Sequence, residues 1–243
     1  MSEAIIECPS GLKVKVRNLK VKEIAKFSDR KAVKSGEVFD TILKECTTEV
    51  IDPGIYTFSN VADWDQVLQG DRFYALLRVR ATTYGEAFEF DVQCHNPRCN
   101  AVIKWSLPLC DLPVKPFPKE SLERVKEKRD FETTIFNRKA TFQLITGATM
   151  RRNMKALRNN DDAIVDSLAL RFLTIEGVAP HGKRAFFEDL DANELASIRA
   201  SLDEADGGVE TNIEVECGSC AGVSNVELPF GQEFWAPKIR SKR

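Results

Sequence analysis

Two cysteine couples, Cys94/Cys99 and Cys217/Cys220, stand more than a hundred residues apart in look-alike surroundings, and they constrain this chain more than anything else in it. Each follows an alternating stretch, Phe88-Glu89-Phe90-Asp91-Val92 or Ile213-Glu214-Val215. Each precedes a second stretch that ends in Leu-Pro, at Leu107-Pro108 and Leu228-Pro229. A tight turn between two strands aims two thiolates at one point, and two such turns supply the four ligands of a tetrahedral structural Zn²⁺. The spacing therefore predicts one zinc per chain, held by Cys94, Cys99, Cys217 and Cys220, stapling two distant parts of the fold. The competing reading is four free thiols in a reducing compartment. A disulfide inside either turn would be strained and would need an oxidising one.

The remaining cysteines and histidines offer less. His95 and Cys110 lie near the first couple and read as a surface imidazole and a small apolar residue, with a substitute ligand role as the alternative. Cys8 and Cys46 read as core packing, and His181 sits in a turn sequence, Pro180-His181-Gly182. Two histidines, no phosphate-binding glycine loop and no nucleophile motif leave almost no acid-base constellation to build. A catalytic zinc needs an open position, which four cysteines would close. The carboxylate pair Asp161/Asp162 is explained by the dipole of a helix start. The chain is expected to be no enzyme.

The net charge of −2 gives no global attraction to nucleic acid. Around the second couple Glu210, Glu214, Glu216 and Glu227 make a poor phosphate surface, so a nucleic-acid-binding or regulatory zinc ribbon is the weaker alternative. No stretch is apolar for long enough to span a membrane, and Met1-Ser2-Glu3-Ala4 lacks the basic and apolar runs of a secretion signal. A cytoplasmic protein without membrane or small-molecule partners is expected.

Hydrophobic periodicity supplies the organisation. Ile5 and Ile6, the turn Pro9-Ser10-Gly11, then Leu12, Val14 and Val16 alternating with lysines predict a hairpin. Helices follow around Ile24 and Phe27 and over Val38, Ile42, Leu43 and Cys46. A further helix is expected to begin at Trp64 and run through Phe73 and Leu77. A second hairpin is expected over Phe131–Phe136 and Ala140–Ile145, with helices from Gly147 and around Ile164, Leu168 and Phe172. Asp191 and Glu194 then mark the capping-box start of a helix carrying Leu195, Ile198 and Leu202. Hairpin, helices and cysteine turn thus occur twice. The expected fold is α+β: two β-hairpin-plus-helix units, 1–112 and 131–237, joined by a proline-containing linker, 113–130, and clamped through a split four-cysteine zinc ribbon, with a basic tail at 238–243.

Ser10-Gly11-Leu12, Gly70-Asp71-Arg72-Phe73-Tyr74, Leu76-Leu77-Arg78-Val79-Arg80, Thr83-Tyr84-Gly85 and Phe88-Glu89-Phe90 with the first cysteine couple form a recognisable series. Its close is Cys217-x-x-Cys220, Val226-Glu227-Leu228-Pro229-Phe230 and Phe234-Trp235-Ala236-Pro237. Over most of its length the chain resembles the baseplate hub assembly proteins of T-even-type tailed phages. The four-residue spacer between Cys94 and Cys99 is longer than the two-residue spacer expected of that pattern. The resemblance implies a protein that acts by contact with other tail and baseplate hub proteins, as assembly factor or structural subunit. It also implies a host-cytoplasmic location during assembly, and leaves open retention in the finished tail. Among the aromatics near element ends, Phe234 and Trp235 are the expected partner-binding pair, while Trp64 and Trp105 are expected in the core.

Overall fold

The computed structural model describes residues 3–157, 163–235 and 237. The basic tail 238–243 and the carboxylates Asp161 and Asp162 lie outside the described residues.

Alternation decides the first sheet. In β2 (Lys13–Arg17) Val14 and Val16 are fully buried, while Lys13 and Lys15 turn outward and reach Glu7 and Glu3 of β1 (Glu3–Glu7) at 3.2 and 3.0 Å. Three short helices follow: α1 (Val21–Lys26), α2 (Arg30–Lys34) and α3 (Glu37–Cys46). Val38, Ile42, Leu43 and Cys46 of α3 fall on one helical face, and all four are buried as their spacing requires. The chain then returns as β3 (Thr47–Asp52), which pairs with β2 to give the order β1-β2-β3.

Helix α4 (Gln69–Tyr84) begins five residues after Trp64, where the periodicity alone would start it. The reason is competition for backbone groups. The Asp65 and Val67 carbonyls accept from Ala148 and Gly147, the Gln69 N–H donates to Ile145, and Leu68 bridges to Thr146. The 64–68 segment is thereby committed to the other half of the chain. Next come β4 (Ala87–Gln93) and β5 (Val102–Pro108), an antiparallel ribbon whose connecting loop carries the first cysteine couple.

The segment 113–130 is packed into the fold. Its β6 (Val114–Lys115) pairs with a later strand, Phe117 is buried, and α5 (Lys119–Lys126) places Leu122 and Val125 against the core. In the second hairpin β7 (Phe131–Ile135) and β8 (Arg138–Phe142) are joined by Phe136 and Asn137, both at positive φ (49° and 62°), the two-residue loop that suits the twist of a hairpin. Helices α6 (Gly147–Leu157) and α7 (Ala163–Arg171) lead into β9 (Phe172–Ile175), which pairs with β8 and makes the order β7-β8-β9. Phe172, expected as a helical residue, opens this strand instead.

After α8 (Lys183–Glu188), α9 (Ala192–Ala205) starts at a capping box in which Asp191 accepts from Asn193 and Glu194, and Glu194 accepts from Asp191. Its Ile198 and Leu202 are buried. The chain closes with β10 (Gly208–Val209) on β6, the second ribbon β11 (Asn212–Glu216) and β12 (Val223–Glu227), and the single turn α10 (Gln232–Trp235).

The same order therefore occurs twice: a hairpin, helices, a third strand added to the hairpin's second strand, a longer helix, a cysteine ribbon. Even the register shift recurs, between β2 and β3 and between β8 and β9. One continuous apolar core runs through both halves, from Ile6 to Trp235. Gly70 shows how closely they meet: a Cβ there would stand 2.1 Å from the carbonyl oxygen of Gly207. Among the described residues no helix is long and apolar enough to cross a membrane.

Candidate metal centre

Both ribbons end in loops closed by the same backbone bond. The Cys94 N–H donates to the Ala101 carbonyl and the Cys217 N–H to that of Gly222, each at 2.9 Å. In each loop the second cysteine, Cys99 or Cys220, stands two positions before the closing residue. The residue between them, Asn100 or Ala221, adopts positive φ (50° and 53°). The two extra residues of the first loop are taken up earlier, where the Asn96 side chain accepts from the Arg98 N–H at 3.0 Å and the Asn96 carbonyl accepts from Cys99 at 2.9 Å. The longer spacer thus leaves the sulfur-bearing part of the loop in the same form as its counterpart.

The loops face each other across 126 and 118 residues of sequence, bringing Cys94 Sγ to 3.7 Å from Cys220 Sγ, and Cys99 Sγ to 3.7 Å from Cys217 Sγ. All four sulfurs lie within 4.8 Å of one another. Four thiolates about 2.3 Å from a central ion at tetrahedral angles would stand about 3.8 Å apart. A disulfide would require about 2.05 Å, so the pairs are not bonded to one another. Cys94 and Cys217 are buried, and Cys99 and Cys220 reach the surface only in part.

Backbone amides favour charge on this cluster. The N–H groups of Ser219 and Cys220 point at the Cys217 sulfur and lower its pKa to about 7, with the neighbouring thiols adding to the effect. The Asn96 N–H, 3.5 Å from the Cys94 sulfur, pulls that thiol down, but burial and its bonds to the other three thiols outweigh it and push it up to about 12. A cation bound among the four sulfurs would favour their thiolate form, which is the metal-ligating one. His95 and Cys110 are exposed and outside the cluster, and Cys8 and Cys46 are buried in the core.

Phe234 and Trp235, expected as the partner-binding pair, are both buried within the chain's own core. Phe234 packs edge-on against Phe88 and Phe230 at 4.6 and 4.8 Å between ring centres. Trp235 stacks on Phe27 at 6.4 Å, meets Phe39 at 5.2 Å and donates its indole N–H to the Phe230 carbonyl at 3.1 Å. Two rings with this much apolar area gain more in a pocket of their own chain than in water. That pocket is made by α1, α3 and β4, all distant in sequence. Trp64 is buried as expected and Trp105 is half-buried.

The residue that organises this corner is Arg80, which sequence reading did not single out. It is buried, with its guanidinium 5.0 Å from the Phe234 ring centre and 5.7 Å from that of Phe88, donating to the Gly85 and Ala87 carbonyls at 2.8 and 3.2 Å. It therefore ties α4 to the first strand of the cysteine ribbon and to α10. The signal available was a charged residue on the buried stripe Leu76, Leu77, Arg80 of a helix.

No curated protein and no solved structure gives a significant match to this chain. A family model described as T4 bacteriophage base plate protein matches residues 1–234, nearly the whole length, including both cysteine ribbons and α10 as far as Phe234. The chain belongs to the T4 bacteriophage base plate protein family.

Proposed function

We propose that this protein is a non-enzymatic component of baseplate assembly, acting at the central hub through contacts with other tail proteins, and that its four-cysteine cluster holds one structural Zn²⁺. Membership of the base plate family carries the assembly reading. For the metal, the support is two facing sulfur pairs at 3.7 Å, close to the spacing within a tetrahedral thiolate shell, with all four sulfurs within 4.8 Å of one another and contributed in pairs by two loops of the same construction. Four protein ligands leave no coordination position for a water or substrate, which is what separates a structural zinc from a catalytic one.

On this reading the zinc clamps two pseudo-equivalent units, 1–112 and 131–237, whose shared core is continued by the ribbons. Metal binding then contributes directly to folding. The exposed Glu214, Glu216 and Glu227 of the second ribbon oppose the nucleic-acid reading, because phosphate binding draws its affinity from Lys and Arg.

Native mass spectrometry of the protein captured gently from producing cells tests both parts in one spectrum. One zinc per chain, in complexes with tail or baseplate proteins, is the expected result. A metal-free chain would reject the clamp. A zinc-loaded chain carrying nucleic acid and no tail protein would reject the assembly role.

A further inference from the structure

The two cysteine ribbons are each only two strands wide. Among the described residues β4 pairs with β5 alone and β12 with β11 alone, so each ribbon has an edge whose backbone N–H and C=O groups take no strand partner there. These strands border one groove of about 420 Å³. Its walls are Phe90, Asp91, Val92 and Gln93 on one side and Val226 and Glu227 on the other. Successive residues of a strand point to opposite faces, so a groove lined by four consecutive residues runs along the strand's edge. Phe90 and Val226 are half-buried there and give it an apolar floor.

Charge says what enters. From Ser201 to Pro237 the sequence holds eight Asp or Glu and no Lys or Arg. Asp91 and Glu227 stand exposed at the groove, and Glu89, Glu214 and Glu216 are exposed on the same ribbons. We propose that the gap between the free edges of β4 and β12 receives an extended, Lys- or Arg-rich segment of a partner protein, which adds a strand to the cysteine ribbons. Backbone pairing along the edges supplies the fit, and the carboxylates select a basic segment over a neutral or acidic one. The proposal rests on the assembly reading only for the existence of a protein partner.

The test is hydrogen–deuterium exchange of the full-length protein as purified, with a capped nonapeptide of alternating Lys and Val as probe and its Glu-Val counterpart as comparison. The Lys-Val peptide is expected to slow exchange in β4 and β12 by about tenfold. That protection should fade between about 0.05 and 0.5 M salt. The Glu-Val peptide is expected to do nothing. Asp91→Lys with Glu227→Lys, both at exposed positions, should reverse the preference. Unchanged exchange at saturating Lys-Val peptide would overturn the proposal, as would equal slowing along β1 and β3, or protection that grows with protein concentration alone and so marks a second copy in the groove. Protection by the peptide in a protein that co-purifies with no tail component would uphold the groove and count against the assembly role.

Discussion

Asp71, in α4, accepts hydrogen bonds from both the backbone N–H and the hydroxyl of Ser10, a residue 61 positions earlier in the turn of the first hairpin. Tyr56 donates its hydroxyl to the same carboxylate at 2.6 Å, and the side chain is completely buried. Ser10-Gly11-Leu12 and Gly70-Asp71-Arg72 are separate motifs in the sequence, and this contact joins them. It sets the height of the hairpin over the helix that leads to the first cysteine ribbon. Asp71→Ala leaves three donors without an acceptor and should cost at least about 3 kcal/mol in denaturant unfolding, since each stranded buried group costs about 1–3 kcal/mol. Asp71→Asn, which keeps one acceptor, should cost less.

The same carboxyl gives a pH dependence of definite sign. Burial raises the pKa of Asp71 above its ordinary 3.8, against the downward pull of the Ser10 and Tyr56 hydrogen bonds. The folded protein therefore holds this proton to higher pH than the unfolded chain does. Its contribution to stability is full below the unfolded value, declines as pH rises through the interval up to the raised folded value, and is constant above it. Wild type should lose stability relative to Asp71→Asn as pH rises from that of the ordinary carboxylate. Parallel stability–pH profiles for the two proteins would show that Asp71 does not titrate in this way.

Gly70→Ala is expected to destabilise the joint between the halves. The added methyl meets the Gly207 carbonyl, a backbone atom that cannot swing aside. Overpacking of this kind costs about 1–3 kcal/mol. Thermal unfolding measures it, with Ala substitution at the exposed helix residue Lys44 as a nearly neutral control.

Trp235→Ala should destabilise by about 3–5 kcal/mol, the usual cost of truncating a buried aromatic. A purely docking role for this residue would instead leave unfolding unchanged. Fluorescence at the denaturation midpoint and a direct stability measurement separate the two outcomes.

Cys217→Ser and Cys94→Ser should each abolish stoichiometric zinc and lower the unfolding temperature, whereas Cys110→Ser should change neither. Because binding requires thiolates, zinc uptake should release protons and weaken as pH falls. Equal metal content in the Cys217 and Cys110 variants would place the metal elsewhere.

Much of the fold was legible where a residue's role is local. The hairpin Ile5–Val16, the buried face of α3 and the capping box of α9 follow from period and capping chemistry, which depend on neighbours a few positions away. The cysteine quartet was legible because metal-ligand spacing is also local, and two half-sites imply a meeting. What escaped was set at a distance. The start of α4 moved because 64–68 bonds to 145–148, β3 and β9 were recognised only once β2 and β8 were in place to receive them, and Phe234 and Trp235 went inside because α1, α3 and β4 built a pocket for them.

X-ray absorption at the zinc edge of the purified full-length protein tests the clamp most directly, since it reports the ion and its ligands together. Four sulfur neighbours at about 2.3 Å is the predicted shell. A shell containing nitrogen or oxygen ligands, or protein without zinc, would contradict a site closed by Cys94, Cys99, Cys217 and Cys220.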